Sequence, residues 1–150
     1  MKWKKFMEYF LLPQLLPLWP CGGTPISDKE VAADNLESAL PESFIILNVE
    51  EWTNNEYTTN ILQPESGTFL RGWIDPDKDI CYVELSDMTQ SNSEQYVKAL
   101  KESGFSEIEN VSEEINNDYV SIGTILKNSD TYISISYTND LFVMSIKKEQ

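Results

Sequence analysis

The stretch SNSEQYVKALKESGF (residues 91–105) constrains the fold more than any other part of the chain. Tyr96, Val97 and Leu100 fall on one face at helical spacing, Ser91 and Glu94 form a capping box, and Gly104 supplies a left-handed stop. On both sides of this helix the chain reads as strands. GTFLRGWI and DICYVELSDM flank the turn DPDKD, where Pro76 presets the backbone for a corner. YVSIGTIL, TYISISY and LFVMSIK follow, joined by the short polar turns KNSD and TND that antiparallel neighbours use. In TYISISY, Ile133, Ile135 and Tyr137 alternate with Ser134 and Ser136, which predicts one buried face and one wet face. A lone helix among hairpins has to lay its apolar face on the sheet they form. The expected fold is α+β: an antiparallel sheet of about five strands with one long helix packed on one face, in the order β-β-α-β-β-β from Gly67 onward, plus short N-terminal helical segments.

Those segments are weaker. SDKEVAADNLESALP opens with a capping box, Ser27 to Glu30, but Val31, Leu36 and Leu40 are thinly spaced and Pro41 ends the run. SFIILNV reads as a strand, because Phe44, Ile45, Ile46, Leu47 and Val49 form a run too short for a buried helix. EEWTNNEYTTNILQP reads as a short helical turn capped by Thr53 or Asn54 and halted before Pro64. The acidic run SEIENVSEEINND reads as a solvated loop. The chain therefore divides into residues 1–25, a signal or lipoprotein-type segment; residues 26–50, a helix and strand or linker; and residues 51–150, the α+β domain.

The first segment starts with the basic MKWKK and continues into FMEYFLLPQLLPLW, which is too short and too broken by Glu8, Pro13, Gln14 and Pro17 to span a membrane. Leu18 stands three residues before Cys21, and Gly22 and Gly23 follow, as around a lipid-attached cysteine. Trp19 and Pro20 depart from that pattern. Three readings stay open: lipidation at Cys21, export on a signal cut elsewhere or retained, and an apolar start that packs on its own domain in the cytoplasm. Export is the expectation.

Charge narrows the partners. The chain carries 11 basic and 25 acidic residues, a formal charge of −14, and no histidine. Such a surface repels phosphate backbones and anionic lipid heads, so nucleic acid is not an expected partner, and the membrane is expected only through a lipid anchor. The missing histidine removes every Ser-His and Cys-His dyad and the commonest metal ligand. Cys21 and Cys81 stand in no Cys-x-x-Cys motif.

Trp52, Pro64 and Gly67, followed by Tyr96, Val97, Leu100, Lys101, Gly104 and Phe105 in the helix and its end, resemble a bacterial domain of unknown function found in small secreted lipoproteins. The resemblance covers residues 51–148. It implies an extracytoplasmic module and carries no activity.

Residue constellations add no chemistry. Asp75, Asp77 and Asp79 alternate like the first ligands of a calcium loop, but Ile80 replaces the required glycine and Ser86 the closing glutamate, so a hairpin turn is expected. Acid pairs such as Glu50 with Glu51 and Glu113 with Glu114 are ordinary in an acidic chain. Cys81, between Ile80 and Tyr82, reads as a buried inert thiol. Asn110 begins a single NVS sequon, a match expected by chance. Trp52, Trp73, Tyr82, Tyr96, Tyr132 and Tyr137 are expected mostly in the core, with a ligand groove on the sheet face away from the helix as the sharper reading. No catalytic residue, metal or cofactor is expected. The leading expectation is a non-enzymatic binding module of the cell envelope, secreted or held through Cys21, with a protein or cell-surface partner. The alternative is a cytoplasmic acidic inhibitor or immunity-type protein that neutralises a basic partner.

Overall fold

The computed structural model describes residues 40–48, 52, 55–116 and 119–149. Residues 1–25 and the 26–39 helical segment lie outside them. The elements run β1 (Ile45–Ile46), β2 (Thr68–Asp75), β3 (Ile80–Ser86), α1 (Gln90–Glu102), β4 (Ser106–Asn116), β5 (Tyr119–Asn128), β6 (Thr131–Tyr137) and β7 (Leu141–Lys148). All strands join one antiparallel sheet in the order β1-β2-β3-β7-β6-β5-β4. The α+β class holds, but the sheet has seven strands where about five were expected.

The largest correction is β4. The acidic run read as a loop is an eleven-residue strand at the sheet edge, paired only with β5. Its register shifts between Glu107 and Glu109 and again between Glu114 and Asn116. These irregularities break the alternation by which a strand is recognised. Solvent on its open side also lets an edge strand carry charge that an inner strand would not tolerate. The SFIILNV strand shrinks to the two residues of β1.

Helix α1 starts earlier than the capping box implied. Thr89 is the N-cap, its hydroxyl accepting from the Asn92 amide (3.2 Å), so Ser91 lies inside the first turn. Glu94 instead accepts from the Gln90 side chain at 2.9 Å. The C-terminus is as expected: Gly104 has φ +114°, and the Gly104 and Phe105 amides donate back to the carbonyls of Lys101 and Leu100. Both capped ends leave the helix a defined register on the sheet.

That register points Tyr96, Val97 and Leu100 at the sheet, where they join Cys81, Val83 and Leu85 of β3, Phe142, Met144 and Ile146 of β7, and Ile133, Ile135 and Tyr137 of β6 in one core. The Tyr96 ring meets Phe142 edge-on at 5.5 Å between centroids. A single turn at residues 55–61 adds Tyr57 and Ile61 to the same core. It is capped by Asn55, whose carboxamide oxygen accepts from the amides of Tyr57 and Thr58 at 3.0 and 3.1 Å. The expected caps Thr53 and Asn54 lie outside the described residues.

Candidate functional site

The residues singled out in the sequence do not converge. Cys21, Glu50 and Glu51 lie outside the described residues. Glu113 and Glu114 are exposed neighbours on β4, and successive strand residues point to opposite faces, so they cannot share a cleft. Asn110 is exposed on the same strand. Cys81 is fully buried, and burial pushes its thiol up to about 12, which keeps it protonated and unreactive at neutral pH.

Two of the three aspartates of DPDKD, Asp75 and Asp79, do separate structural work, and Asp77 adds only its backbone amide. The Asp75 carboxylate accepts from the amides of Asp77 (3.1 Å) and Lys78 (3.3 Å) and lies 3.5 Å from the Lys78 ammonium. Asp79 takes φ +54° at the turn's end and accepts from the Tyr57 hydroxyl at 3.4 Å. Among the described residues no group of three or more acidic or cysteine side chains is placed to hold a metal ion, and no helix is long and apolar enough to cross a membrane.

The aromatic residues divide between the two sheet faces. Trp52, Tyr96 and Tyr137 belong to the α1-side core, whereas the strand register puts Trp73, Tyr82 and Tyr132 on the other side. Trp73 and Tyr82 stack at 3.9 Å between centroids, with planes 20° apart.

Concavities open among the described residues at the sheet end and beside α1. At one end of the sheet, a pocket of about 290 Å³ lies among Tyr57, Asn60, Asn128 and Lys148. Its main groups already engage one another: Lys148 stands 5.7 Å from the Tyr57 ring centroid. Burial first, then the charges of Asp79 and Glu56, push the Tyr57 phenol up to about 12.

The second concavity lies along α1. After Ile61 the chain runs past the helix before turning into β2 at Gly67. The Tyr96 hydroxyl donates to the Leu62 carbonyl at 2.6 Å and tethers this run, and burial pushes the Tyr96 phenol well above its ordinary value, so it stays a neutral donor. Gly67 has φ +92°, and a Cβ there would lie 2.6 Å from Met88 Cγ, so no other residue passes so close to the start of the helix. Between the run and α1 opens a groove of about 320 Å³. Gln63, Asn92 and Gln95 line it with side-chain amides that make no hydrogen bond within the described residues, Glu65 adds one carboxylate, and Leu62, Pro64 and Tyr96 supply apolar wall. A smaller cleft of about 110 Å³, shared at Gln63, Pro64 and Ser66, continues past the run to Trp52 and Phe69.

Each free carboxamide offers two donors and an acceptor without charge. The arrangement suits a neutral polar chain whose own amides or hydroxyls alternate donors and acceptors. The sequence gives little sign of it, because carboxamides on the outer turns of a helix look like ordinary solvated positions. Pro64, which ends the preceding turn and sends the chain across α1, is the one local signal.

No family model, no curated protein and no solved structure matches this chain. The residues behind the lipoprotein-domain resemblance have packing and turn roles here: Tyr96, Val97, Leu100 and Phe105 are core, and Gly67 and Gly104 hold positive φ.

Proposed function

We propose that the chain is a non-enzymatic binding module that holds an extended, uncharged polar ligand, a peptide segment above all, in the groove between residues 62–66 and α1. The observation that carries this reading is the set of three unengaged carboxamides, Gln63, Asn92 and Gln95, spread along a groove with an apolar wall. The wall receives side chains, and the amides pair with a backbone that would otherwise lose its water unpaired.

Selection of displayed peptides against the full chain, followed by calorimetric titration of those selected, tests it. Asn92→Ala and Gln95→Ala should each weaken binding about 2- to 10-fold, the worth of one neutral hydrogen bond, with no change in melting temperature. Peptides whose affinity ignores both substitutions would remove the groove from consideration.

The open edge of β4 favours a second reading, the acidic inhibitor. Glu107, Glu113 and Glu114 are exposed and Glu109 half-buried along a strand whose outer backbone groups are unpaired in the sheet. A basic strand adding there would meet both the hydrogen-bonding row and the charge. Affinity for a lysine-rich extended peptide that falls steeply with salt and is lost in Glu113→Lys/Glu114→Lys supports this reading; salt-independent binding opposes it.

A further inference from the structure

At the end of the sheet where β7 finishes, the α1 face changes from apolar to polar within one row. Leu126, Ile133 and Ile146 lie side by side across β5, β6 and β7, and each is fully buried in the core. One row outward on the same face stand Asn128, Thr131 and Lys148, paired in the same way. Strand spacing sets Asn128 and Lys148 about 10 Å apart, which leaves room above the short Thr131 for a small molecule. This row lines the pocket of about 290 Å³, together with Tyr57, Asn60 and Ile61 of the 55–61 turn and Phe105 just past α1. The pocket shares no lining residue with the groove beside α1, so it is independent of the peptide reading.

Lys148 is the unusual member. Arg71, Lys78, Lys98, Lys101 and Lys127 each pair with a carboxylate. Lys148 is half-buried and pairs with none among the described residues, although the chain carries 25 acidic residues. Its ammonium meets the Tyr57 ring, 5.7 Å from the centroid, and that contact leaves its charge open to an anion. The carboxamides of Asn60 and Asn128 make no hydrogen bond among the described residues either. Two exposed carboxylates, Glu56 and Asp130, complete the lining. Asp130 Oδ1 takes the Thr131 hydroxyl at 3.2 Å and leaves Oδ2 without a partner among the described residues.

These charges select the ligand. A simple anion would meet Glu56, Asp130 and a chain charge of −14, and a simple cation would meet Lys148. A neutral molecule would displace water from the ammonium and give it no counter-charge. A molecule with one charge of each sign satisfies both ends. The volume stands at the small end of ligand pockets, which run from about 300 Å³, so the molecule is small. We propose that this pocket binds a free α-amino acid with an uncharged side chain. Its carboxylate lies on the Lys148 ammonium and the Asn128 carboxamide, its ammonium points towards Glu56 and Asp130, and its side chain rests against Ile61 and Phe105.

Thermal unfolding of the full chain with each of the twenty L-amino acids at about 10 mM screens for the ligand. Calorimetric titration then compares the best of them with its N-acetyl form, which lacks the ammonium, and its carboxamide form, which lacks the carboxylate. The expected result is a raised melting temperature with at least one amino acid of uncharged side chain, and affinity about 10- to 100-fold weaker for either capped form, the worth of one charged hydrogen bond. Lys148→Gln should weaken the free amino acid by a similar factor, and Asn128→Ala, at the exposed end of β5, by about 2- to 10-fold. Lys147→Gln is the control, since Lys147 points to the other side of the sheet and its loss should leave the affinity unchanged. Should Lys148→Gln fail to fold, Asn128→Ala and the capped ligands still decide. No rise in melting temperature with any of the twenty overturns the proposal. An N-acetyl form that binds as well as the free amino acid makes the pocket a plain anion site and overturns it too, as does an affinity untouched by Lys148→Gln and Asn128→Ala.

Discussion

Cys81 and Tyr82 are consecutive in β3 and face opposite sides of one sheet, and their surroundings differ in kind. Around Cys81 the core is mainly apolar, with Val83 and Leu85 on its own strand and Ile74 and Ile146 opposite on the flanking strands, and the Tyr57 phenol is near enough to feel its charge. Tyr82 stacks its ring on Trp73 but carries a polar contact at its tip. Its hydroxyl donates to Glu84 Oε2 at 3.2 Å, and the same oxygen takes the Arg71 Nε at 2.5 Å. Glu84 is 5% exposed and so depends on both donors. One face is held by shape and area; the other also carries a small charge network whose buried carboxylate has partners in place of water. Damage to the first should therefore act through cavities, and damage to the second through unpaired charge.

The largest effect belongs to the helix side. Leu100→Ala removes a fully buried side chain from the centre of α1's face and should cost about 2–5 kcal/mol in urea unfolding. Its neighbour Lys101 points outward to Glu107 at 2.5 Å, with both side chains over a third exposed, so Lys101→Ala should cost less than about 1 kcal/mol. Equal losses would mean that α1 is rotated on the sheet.

On the second face, Arg71→Met should cost about 1–3 kcal/mol, because Glu84 keeps its burial and loses its cation. Arg71→Met combined with Glu84→Gln should recover most of that loss. A double-mutant cycle in which the two costs simply add would dissolve the contrast between the faces.

Alkali separates the two sides by a smaller amount. Burial raises the Cys81 thiol from its ordinary 9.0 to about 12. Between those values the unfolded chain releases a proton that the folded chain keeps, so stability is complete below about pH 9 and falls as pH rises toward 12, by at most about 1.4 kcal/mol per pH unit. The Tyr82 phenol is raised by burial and by the Glu84 charge, and Tyr57 by burial and Asp79, but both start from 10.0. Cys81→Ala should therefore move the onset of alkaline destabilisation from about pH 9 to about pH 10, read from chemical-denaturation midpoints. An unchanged onset would show that Cys81 is not the first group to titrate.

The same contrast explains what the sequence revealed. The helix side was legible because Tyr96, Val97 and Leu100 mark a helical stripe, and Ile133, Ile135 and Tyr137 a strand alternation, without reference to distant residues. Ser134 was misread. Its place opposite the apolar side of β6 predicts a wet face, yet it is 4% exposed, a property that the alternation of its own strand does not encode. β4 was misread for a related reason: an edge strand with two register shifts obeys neither alternation nor apolarity. Gln63, Asn92 and Gln95 carried no signal, since only the path of the chain after Pro64 brings them into one groove.

The smallest expected effect lies on the outward face of α1, which the comparison places in solvent. Lys98 and Glu102 are four residues apart at 3.8 Å, with side chains 76% and 69% exposed. In this order, lysine before glutamate, the pair is the weaker helical arrangement. Lys98→Ala loses a few tenths of a kcal/mol from the pair and from the helix dipole, and regains a similar amount because alanine is the better helix former. The chain's charge of −14 becomes one unit more negative, a change that salt screens at this exposure. The net shift should stay within about 0.5 kcal/mol of zero and be the same at low and high salt. A loss above about 1 kcal/mol in thermal unfolding would mean that the outer face of α1 is covered rather than solvated.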